Sequence, residues 1–375
     1  MKTLCKLLAF AVFAAGFYYF IFYRSPVEKK LEKLTAAAQK QDVVSQRELG
    51  RLYEKGEGKI PANAEQAIYW YGQAAINRDT EAAFLLAKLY LEGKVVSQDK
   101  EEGSSYMLLS AQENYAPAQY EIGHFYQEGL FGFPQHKGQS LLWWMKAAEN
   151  NYPEAQKALA LESELNPEAV ARAEKTAALL QKALQGDTQA QLEAGLAYRD
   201  GTGVAPDAVE AVRLFSEAWE KGKLAQAAYE LGALYRDGKG VEKNDDKALS
   251  YFNEAASLKN PDAQNELGNR AYVNEKYEDA FAWFSNAAVA GHPRAQYMTG
   301  FMLMQGQGTN RYVPLATEYF EKAALQEDSL AQYVLGQIFW KGLGVPTDKK
   351  KGRKWLEQAA ANGNPAAEAF LESIK

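Results

Sequence analysis

The feature that most constrains this chain is an internal repeat with a period near 36 residues. A pattern of the form Ala-Gln-x-x-Leu-Gly recurs along the sequence, and its last position is always Gly or Ala. Successive copies of that position are 37, 36, 37, 35, 37, 36, 32 and 36 residues apart. Such regularity indicates tandem copies of one supersecondary structure. The nine small residues are Gly50, Ala87, Gly123, Ala160, Gly195, Gly232, Gly268, Gly300 and Gly336.

Each copy is predicted to contain two helices separated by a glycine turn. In the copy that begins at Ala227, apolar residues at helical spacing continue to Tyr235, and Gly238 and Gly240 follow. Glycine adopts the positive φ that ends a helix, so the Gly-x-Gly pair is interpreted as a helix stop. A second apolar and aromatic segment then closes on the pair Ala255 and Ala256. A small residue five positions before each Gly or Ala of the pattern would let the two helices approach closely.

These residues resemble the Sel1-like repeat family, a relative of the tetratricopeptide repeats. The copy from Ala227 to Asn260 follows the family pattern closely, with Asp245, Lys247 and Ala248 at the start of its second helix. The resemblance covers about residues 42 to 375. It implies an all-α, right-handed α-solenoid of about nine helix-turn-helix repeats, because stacked units bury the apolar faces that a single unit exposes. It also implies that the chain works by holding other proteins.

Two units depart from the pattern and divide the predicted solenoid. The fourth unit, Pro153 to Asp187, has no Gly-x-Gly stop, and its turn is placed at Asn166-Pro167. The seventh, Pro261 to His292, is shorter and replaces the glycines with the segment 274–277. We therefore expect a first block at residues 42–165, with repeats 1 to 4. A second block at 166–375 would hold repeats 5 to 9 and a terminal capping helix.

The N-terminal residues 1–24 are predicted to be a membrane anchor or a signal sequence. The run Leu7–Tyr23 carries no charge and is close to the minimum length of a membrane-spanning helix. It ends in aromatic residues rather than in a small-residue cleavage site, which favours an uncleaved anchor over a cleaved leader. A charged connector, residues 25–41, follows and is expected to be helical.

The orientation of this anchor is open from sequence. Basic residues flank both ends of the apolar run, and their count favours a cytoplasmic body. The short basic start followed at once by an apolar core is typical of exported proteins and favours the opposite side. We expect a single-pass protein of the bacterial inner membrane with its body in the periplasm. A scaffold on the cytoplasmic face is the alternative.

Composition argues against several classes of function. The formal net charge is −6, which disfavours nucleic acid as a partner. The single cysteine, Cys5, and the three histidines His124, His136 and His292 offer no recognisable metal set or nucleophile–base pair. The Gly-x-Gly strings end helices and lack a following Gly-Lys-Ser/Thr, so they are not interpreted as phosphate loops. We expect no metal, no cofactor and no enzymatic activity.

The candidate binding surface is a stripe on the first helices. Positions two, six and nine residues after the first small residue share one helical face, and in related solenoids the first helices line the concave side. Aromatic side chains and Met are frequent anchors in protein interfaces. Packing against the next helix is the alternative role of these positions. The predicted groove consists of Tyr229, Arg236, Tyr272, Tyr297, Phe301, Met304, Tyr333, Gln337 and Trp340.

The resulting hypothesis is a membrane-anchored, non-enzymatic adaptor that binds a protein partner in the bacterial cell envelope. The family resemblance suggests an assembly factor, a regulator of a membrane sensor, or an immunity protein that inhibits a secreted effector. A peptidoglycan- or glycan-associated binding protein or enzyme is the alternative from a different class. It is disfavoured because the chain lacks the paired cysteines of the family members of that kind.

Overall fold

The computed structural model describes residues 25–94 and 96–374, and these residues form 20 α-helices. The predicted anchor Leu7–Tyr23 lies outside the described residues. Within the described ranges, no helix is both long enough and apolar enough to cross a membrane. The predicted all-α class is confirmed.

The helices follow one another along the chain with short connections. The first ten are α1 (Pro26–Ala38), α2 (Val43–Lys55), α3 (Ala64–Ile76), α4 (Thr80–Glu92), α5 (Lys100–Gln112), α6 (Ala116–Glu128), α7 (Lys137–Glu149), α8 (Pro153–Leu165), α9 (Pro167–Leu184) and α10 (Thr188–Asp200). The others are α11 (Ala208–Gly222), α12 (Ala225–Asp237), α13 (Asp245–Ser257), α14 (Pro261–Val273), α15 (Tyr277–Val289), α16 (Pro293–Gln305), α17 (Val313–Leu325), α18 (Ser329–Lys341), α19 (Lys349–Ala361) and α20 (Pro365–Ser373).

The helices from α2 to α19 form nine consecutive helix-turn-helix pairs, as the repeat predicts. Helix α1 lies in the segment 25–41 and packs on α2, and α20 packs on α19 after the last pair. Contacts are densest within a pair, for example between α12 and α13, and neighbouring pairs also pack on one another, for example α11 on α12 and α13 on α14; the exception is α8 and α9, which make few contacts with each other. This nearest-neighbour pattern is the α-solenoid arrangement.

Local sequence explains where the helices begin and end. Side-chain oxygens of Asp187 and Asp328 accept hydrogen bonds from the backbone N–H groups of Ala190 and Ala331, at 2.9 and 2.8 Å, and cap the first helices. Gly238 has φ +67° and ends α12 in the left-handed conformation. The first glycine of the Gly-x-Gly pair is therefore a helix stop, as predicted.

The second glycine of the pair has a further role. A Cβ atom placed on Gly240 would lie 2.3 Å from the carbonyl oxygen of Ala208, at the start of the second helix of the preceding repeat. A Cβ atom on Gly308 would lie 2.1 Å from the carbonyl oxygen of Tyr277 in the same relation. Glycine at this position thus lets the loop lie directly on the neighbouring repeat.

The two helices of a pair meet where a small residue faces an aromatic ring. A Cβ atom on Gly195 would lie 2.6 Å from the ring of Phe215, and one on Gly268 would lie 2.7 Å from the ring of Phe284. Both rings are fully buried. The predicted close approach of the helices is confirmed, because no side chain larger than hydrogen fits beneath these rings.

Each of the two irregular units still contains two helices joined by a short turn. Helix α8 ends at Leu165, and α9 begins at Pro167, so the turn lies at Asn166 as predicted. Pro167 occupies the first helical position, where its missing N–H costs no hydrogen bond. In the seventh unit only the segment 274–276 separates α14 from α15.

The described chain divides into two compact units. Unit 1 contains the described residues up to Ala177 together with Gly203–Ala205, and unit 2 contains Ala178–Thr202 and the residues from Pro206 onward. The division falls within α9, whereas the sequence places it between Leu165 and Asn166. Each unit has its own series of apolar clusters, and the core of unit 2 is built around the fully buried side chains of Phe215, Phe252, Phe284 and Phe320.

A candidate protein-binding stripe in unit 2

The nine residues of the predicted groove all lie on first helices of unit 2, namely α12, α14, α16 and α18. Some of them contact the second helix of their own pair: Tyr229 meets Phe252 of α13, and Tyr297 meets Phe320 of α17. Every one of the nine is partly buried, so each is anchored by neighbours and still reachable by solvent. We call this set the stripe: Tyr229, Arg236, Tyr272, Tyr297, Phe301, Met304, Tyr333, Gln337 and Trp340.

The centre of the stripe is an aromatic pair on α16. The rings of Tyr297 and Phe301 stack with centroids 6.4 Å apart, and Tyr297 also contacts the buried ring of Phe320 at 5.7 Å. The guanidinium carbon of Arg294 lies 4.8 Å from the centroid of Tyr297. Burial raises the pKa of the Tyr297 hydroxyl, although Arg294 acts in the opposite direction. Met304 packs against the same apolar cluster, so this part of the stripe is preformed.

Two stripe residues connect one repeat to the next. The Arg236 guanidinium on α12 lies 2.8 Å from Asp237 and 3.3 Å from Glu266 on α14. The Tyr272 hydroxyl donates a hydrogen bond of 3.1 Å to Oε1 of Gln307, in the loop of the following repeat. These contacts give Arg236 and Tyr272 a structural role between repeats in addition to any role in binding.

At the last repeat, α20 covers part of the stripe. The Trp340 and Phe370 rings meet edge to face with centroids 6.4 Å apart. Tyr333 packs on the apolar cluster that α20 forms with α19, and its hydroxyl oxygen accepts a 2.7 Å hydrogen bond from Gln337. The repeat pattern alone did not predict this cover, because α20 belongs to no complete repeat.

The glutamine of the repeat pattern has a role that sequence reasoning missed. In six repeats the side chain of this glutamine is buried, and its Nε2 donates to the carbonyl oxygen of the alanine eight residues earlier, at the end of the preceding helix. A hydrogen-bonded amide of this kind fixes the position of one repeat on the next. The donors and acceptors are Gln46 to Ala38, Gln119 to Ala111, Gln191 to Ala183, Gln264 to Ala256, Gln296 to Ala288 and Gln332 to Ala324, at 3.0 to 3.4 Å.

Two of the three histidines cap helices, and the third is exposed. His136 and His292 are N-cap residues of α7 and α16, and Nδ1 of each accepts a backbone hydrogen bond, at 3.0 and 3.1 Å. His124 is exposed on α6. Among the described residues, no group of three or more His, Cys, Asp or Glu side chains is placed to hold a metal ion.

The fold and the buried repeat contacts define a protein of tandem helix-turn-helix repeats, a class whose extended surfaces bind other proteins. The family model of the Sel1 repeat matches eight segments, at residues 43–79, 80–115, 116–152, 188–223, 225–260, 261–292, 293–328 and 329–364. The chain therefore belongs to the Sel1 repeat family. The prediction of nine Sel1-like units is corrected at residues 153–187, where the chain contains the two helices α8 and α9 but the family model does not match.

One solved structure of a related protein shares the fold. A Sel1 repeat protein from Oxalobacter formigenes is 26% identical, covers 92% of this chain and 90% of its own, and superposes with a TM-score of 0.50. The immunity protein Pa5087 from Pseudomonas aeruginosa is 21% identical over 67% of this chain and 83% of its own, with a TM-score of 0.36.

A curated relative from fungi matches part of the chain. The chitin synthase regulator SKT5 of Saccharomyces cerevisiae is 30% identical over 128 residues, which cover 33% of this chain and 18% of that protein. The match spans less than a fifth of the length of this relative.

Proposed function

We propose that this chain is a non-enzymatic adaptor that binds a protein partner through the stripe of unit 2, at a bacterial cell envelope to which its N-terminal segment anchors it. The observation that carries the proposal is the preformed apolar surface of Tyr297, Phe301 and Met304 on α16. These side chains are held in place by a packed cluster and remain partly exposed. Rigid aromatic anchors supply much of the binding energy in protein interfaces, because little conformational entropy is lost when they bind.

The chemistry of the described residues supports binding rather than catalysis. Two of the three histidines use Nδ1 to cap helices, which leaves that nitrogen committed to a backbone N–H group. The relative SKT5 is described as a regulator of chitin synthase, which is consistent with a regulatory protein contact. Inhibition of a secreted effector, as by an immunity protein, is one form that this adaptor function would take.

Site-specific photocrosslinking tests the stripe. A benzoylphenylalanine at position 304 is expected to capture a discrete protein partner in cells, whereas the same residue at Leu325 is not. Leu325 is 75% exposed at the end of α17, so it is a matched apolar position off the stripe. The double substitution Phe301→Ser with Met304→Ser should then remove capture at a neighbouring position, Tyr297, while Val289→Ser with Leu325→Ser should not.

Labelling in intact cells tests the placement. The only cysteine is Cys5, so a Cys5→Ser chain with Lys239→Cys carries one thiol at an exposed loop of unit 2. A membrane-impermeant maleimide is expected to label it without cell lysis once the outer membrane is permeabilised. Labelling only after disruption of the inner membrane would instead place the body on the cytoplasmic face.

A further inference from the structure

The last repeat carries a dense group of cations beside the end of the stripe. Between residues 341 and 354 there are six basic residues and one acidic residue, in a chain whose net charge is −6. Lys351 pairs with Glu321 at 2.7 Å, and the other five basic residues form no ion pair with any described residue. We call these five the basic rim: Lys341, Lys349, Lys350, Arg353 and Lys354.

The one acidic residue of this segment is already used by the fold. Asp348 is the N-cap of α19, and its carboxylate accepts a 2.9 Å hydrogen bond from the backbone N–H of Lys351. Lys341, Lys349, Lys350 and Lys354 are exposed, and Arg353 is partly buried. The positive charge of the rim is therefore open to an anion from outside the described chain.

The lysines of the rim at the start of α19 are also placed unfavourably with respect to the dipole of that helix. The first turn of α19 contains lysines and no acidic residue, although the N-terminal end of a helix dipole is positive. In the same unit, the second helices α11, α13 and α15 carry acidic residues in their first turn, whereas α17 carries none. A local arrangement that opposes stability is expected where it serves binding.

The rim surrounds the aromatic end of the stripe. Nζ of Lys349 lies 5.3 Å from the centroid of Trp340, and the guanidinium carbon of Arg353 lies 5.8 Å from it. Gly352 makes this possible, because its missing side chain brings α19 against the Trp340 backbone; a Cβ there would lie 2.8 Å from the Trp340 nitrogen. Cations and a partly exposed ring thus form one continuous surface.

We infer that the basic rim and Trp340 form a docking site for an acidic segment of a protein partner, with partner carboxylates at the lysines and an apolar side chain at the ring. This inference rests on the proposed adaptor function and specifies the chemistry of the partner. Charge complementarity fixes the sign of the partner segment and would speed its encounter with the stripe.

The arrangement fits an acidic peptide better than a lipid surface or a nucleic acid. Trp340 is held edge-on by Phe370 and partly buried, so its ring is not free to insert into a bilayer. Nucleic-acid binding requires a large basic face on the protein, whereas this chain is acidic overall. An extended peptide can place carboxylates and an apolar side chain alternately, which matches the mixed surface.

The test uses the full chain in nanodiscs of zwitterionic lipid and a short fluorescein-labelled peptide in which glutamates alternate with serines around two central phenylalanines. Fluorescence anisotropy should show binding that weakens as salt is added, and a peptide with glutamine in place of glutamate should not bind. Lys349→Glu with Lys350→Glu should weaken binding about tenfold or more, because two attractive charges become repulsive. The control Lys239→Glu with Lys243→Glu makes the same charge change elsewhere in unit 2 and should leave binding unchanged.

Weaker peptide binding by this variant would not be explained by misfolding. Acidic residues in the first turn of α19 complement the helix dipole, so the variant with Lys349→Glu and Lys350→Glu should melt at the same temperature or higher.

Three outcomes would overturn the inference: equal binding of the glutamine peptide, equal loss of binding in the control variant, or preferred binding of phosphatidylserine vesicles or of a single-stranded oligonucleotide. Capture of a partner at position 304 that survives reversal of the rim would also overturn it, and would leave the adaptor proposal standing. Absence of capture in the unmodified chain would count against the adaptor proposal instead.

Discussion

Gly232 lies directly beneath the ring of Phe252, so that a Cβ atom on the glycine would be 2.7 Å from Cδ1 and Cε1 of the ring. The contact joins α12 to α13, and the same relation recurs between the two helices of other repeats. It shows why the small residue of the repeat pattern is glycine in most copies. Alanine has a higher helix propensity than glycine, but its Cβ would overlap the ring, and this steric cost outweighs the gain in propensity.

Alanine at this position should therefore destabilise the chain. Gly232→Ala is expected to lower the free energy of unfolding by about 1 to 3 kcal/mol, because the ring or a helix must move. The control is Gly72→Ala in α3, where no atom lies within 4 Å of the added Cβ. Gly72→Ala should instead stabilise by about 0.5 to 1 kcal/mol. Urea unfolding followed by far-UV circular dichroism measures both, and the same sign in the two variants would contradict the packing account.

Substitution of the second glycine of the turn by alanine should destabilise the chain more than substitution of a glycine whose only constraint is a positive φ. Gly308 and Gly291 both have positive φ, +64° and +94°, but only at Gly308 would a Cβ meet the backbone of another repeat. Gly291→Ala is expected to cost about 1 to 2 kcal/mol, the ordinary penalty of a left-handed conformation. Gly308→Ala should cost more in the same unfolding experiment. Equal losses would mean that the loop can move away from Tyr277 without cost.

The buried glutamines should not tolerate a charge. Gln296 is 4% exposed, and it donates to Ala288 at 3.2 Å while it accepts from Gln326 at 2.9 Å. Gln296→Glu keeps the shape but removes the donor, so it is expected to cost about 1 to 3 kcal/mol near neutral pH. The loss should shrink as the pH falls, because the protonated carboxyl is neutral and can donate again.

The matched control for this substitution is Gln156→Glu. Gln156 occupies the same position of the fourth unit, but it is exposed and its contact with Ala148 is 3.5 Å. The variant should be close to neutral in stability over the same pH range. A comparable loss at Gln156 would show that the hydrogen bond, rather than burial, sets the effect.

Stability should fall in acid through two arginine-bound carboxylates. A hydrogen bond from Arg236 holds the pKa of Asp237 below its ordinary value, and Arg199 does the same for Asp200. A carboxyl group whose pKa is lower in the folded chain stabilises it above the unfolded-state pKa, and that stability is lost as the pH falls. The free energy of unfolding should therefore decline below about pH 4. Arg236→Met should flatten this decline, and an unchanged slope would remove Asp237 from the explanation.

Much of the fold was predictable because the same local conformational preferences recur in the nine units. The helix stop at Gly238, the turn at Asn166 and the short seventh unit all follow from local conformational preferences, which a sequence displays directly. The role of Gln296 was not predictable in this way. Its partners lie eight and thirty residues away along the chain, and the pattern records only that glutamine recurs.

The helical face on which the stripe residues lie was predictable, but the contacts that neighbouring helices make with them were less so. Helical spacing alone indicated that Phe301 and Met304 share one face of α16. The cover of Trp340 by Phe370 and the ion pair between Arg236 and Glu266 depend on how neighbouring elements pack. No local rule specifies which side chain of another helix reaches a given position.

The sequence by itself determined the class of fold, the length of the repeat and the small residues that allow close helix packing, because these depend on periodicity and on backbone preferences within one unit. Only the tertiary structure decided which cations remain unpaired at Lys349 and Lys350 and how far each stripe residue is buried. It also placed the division into units within α9. Those properties arise from contacts between repeats, where the free energy depends on partners that lie far apart in sequence.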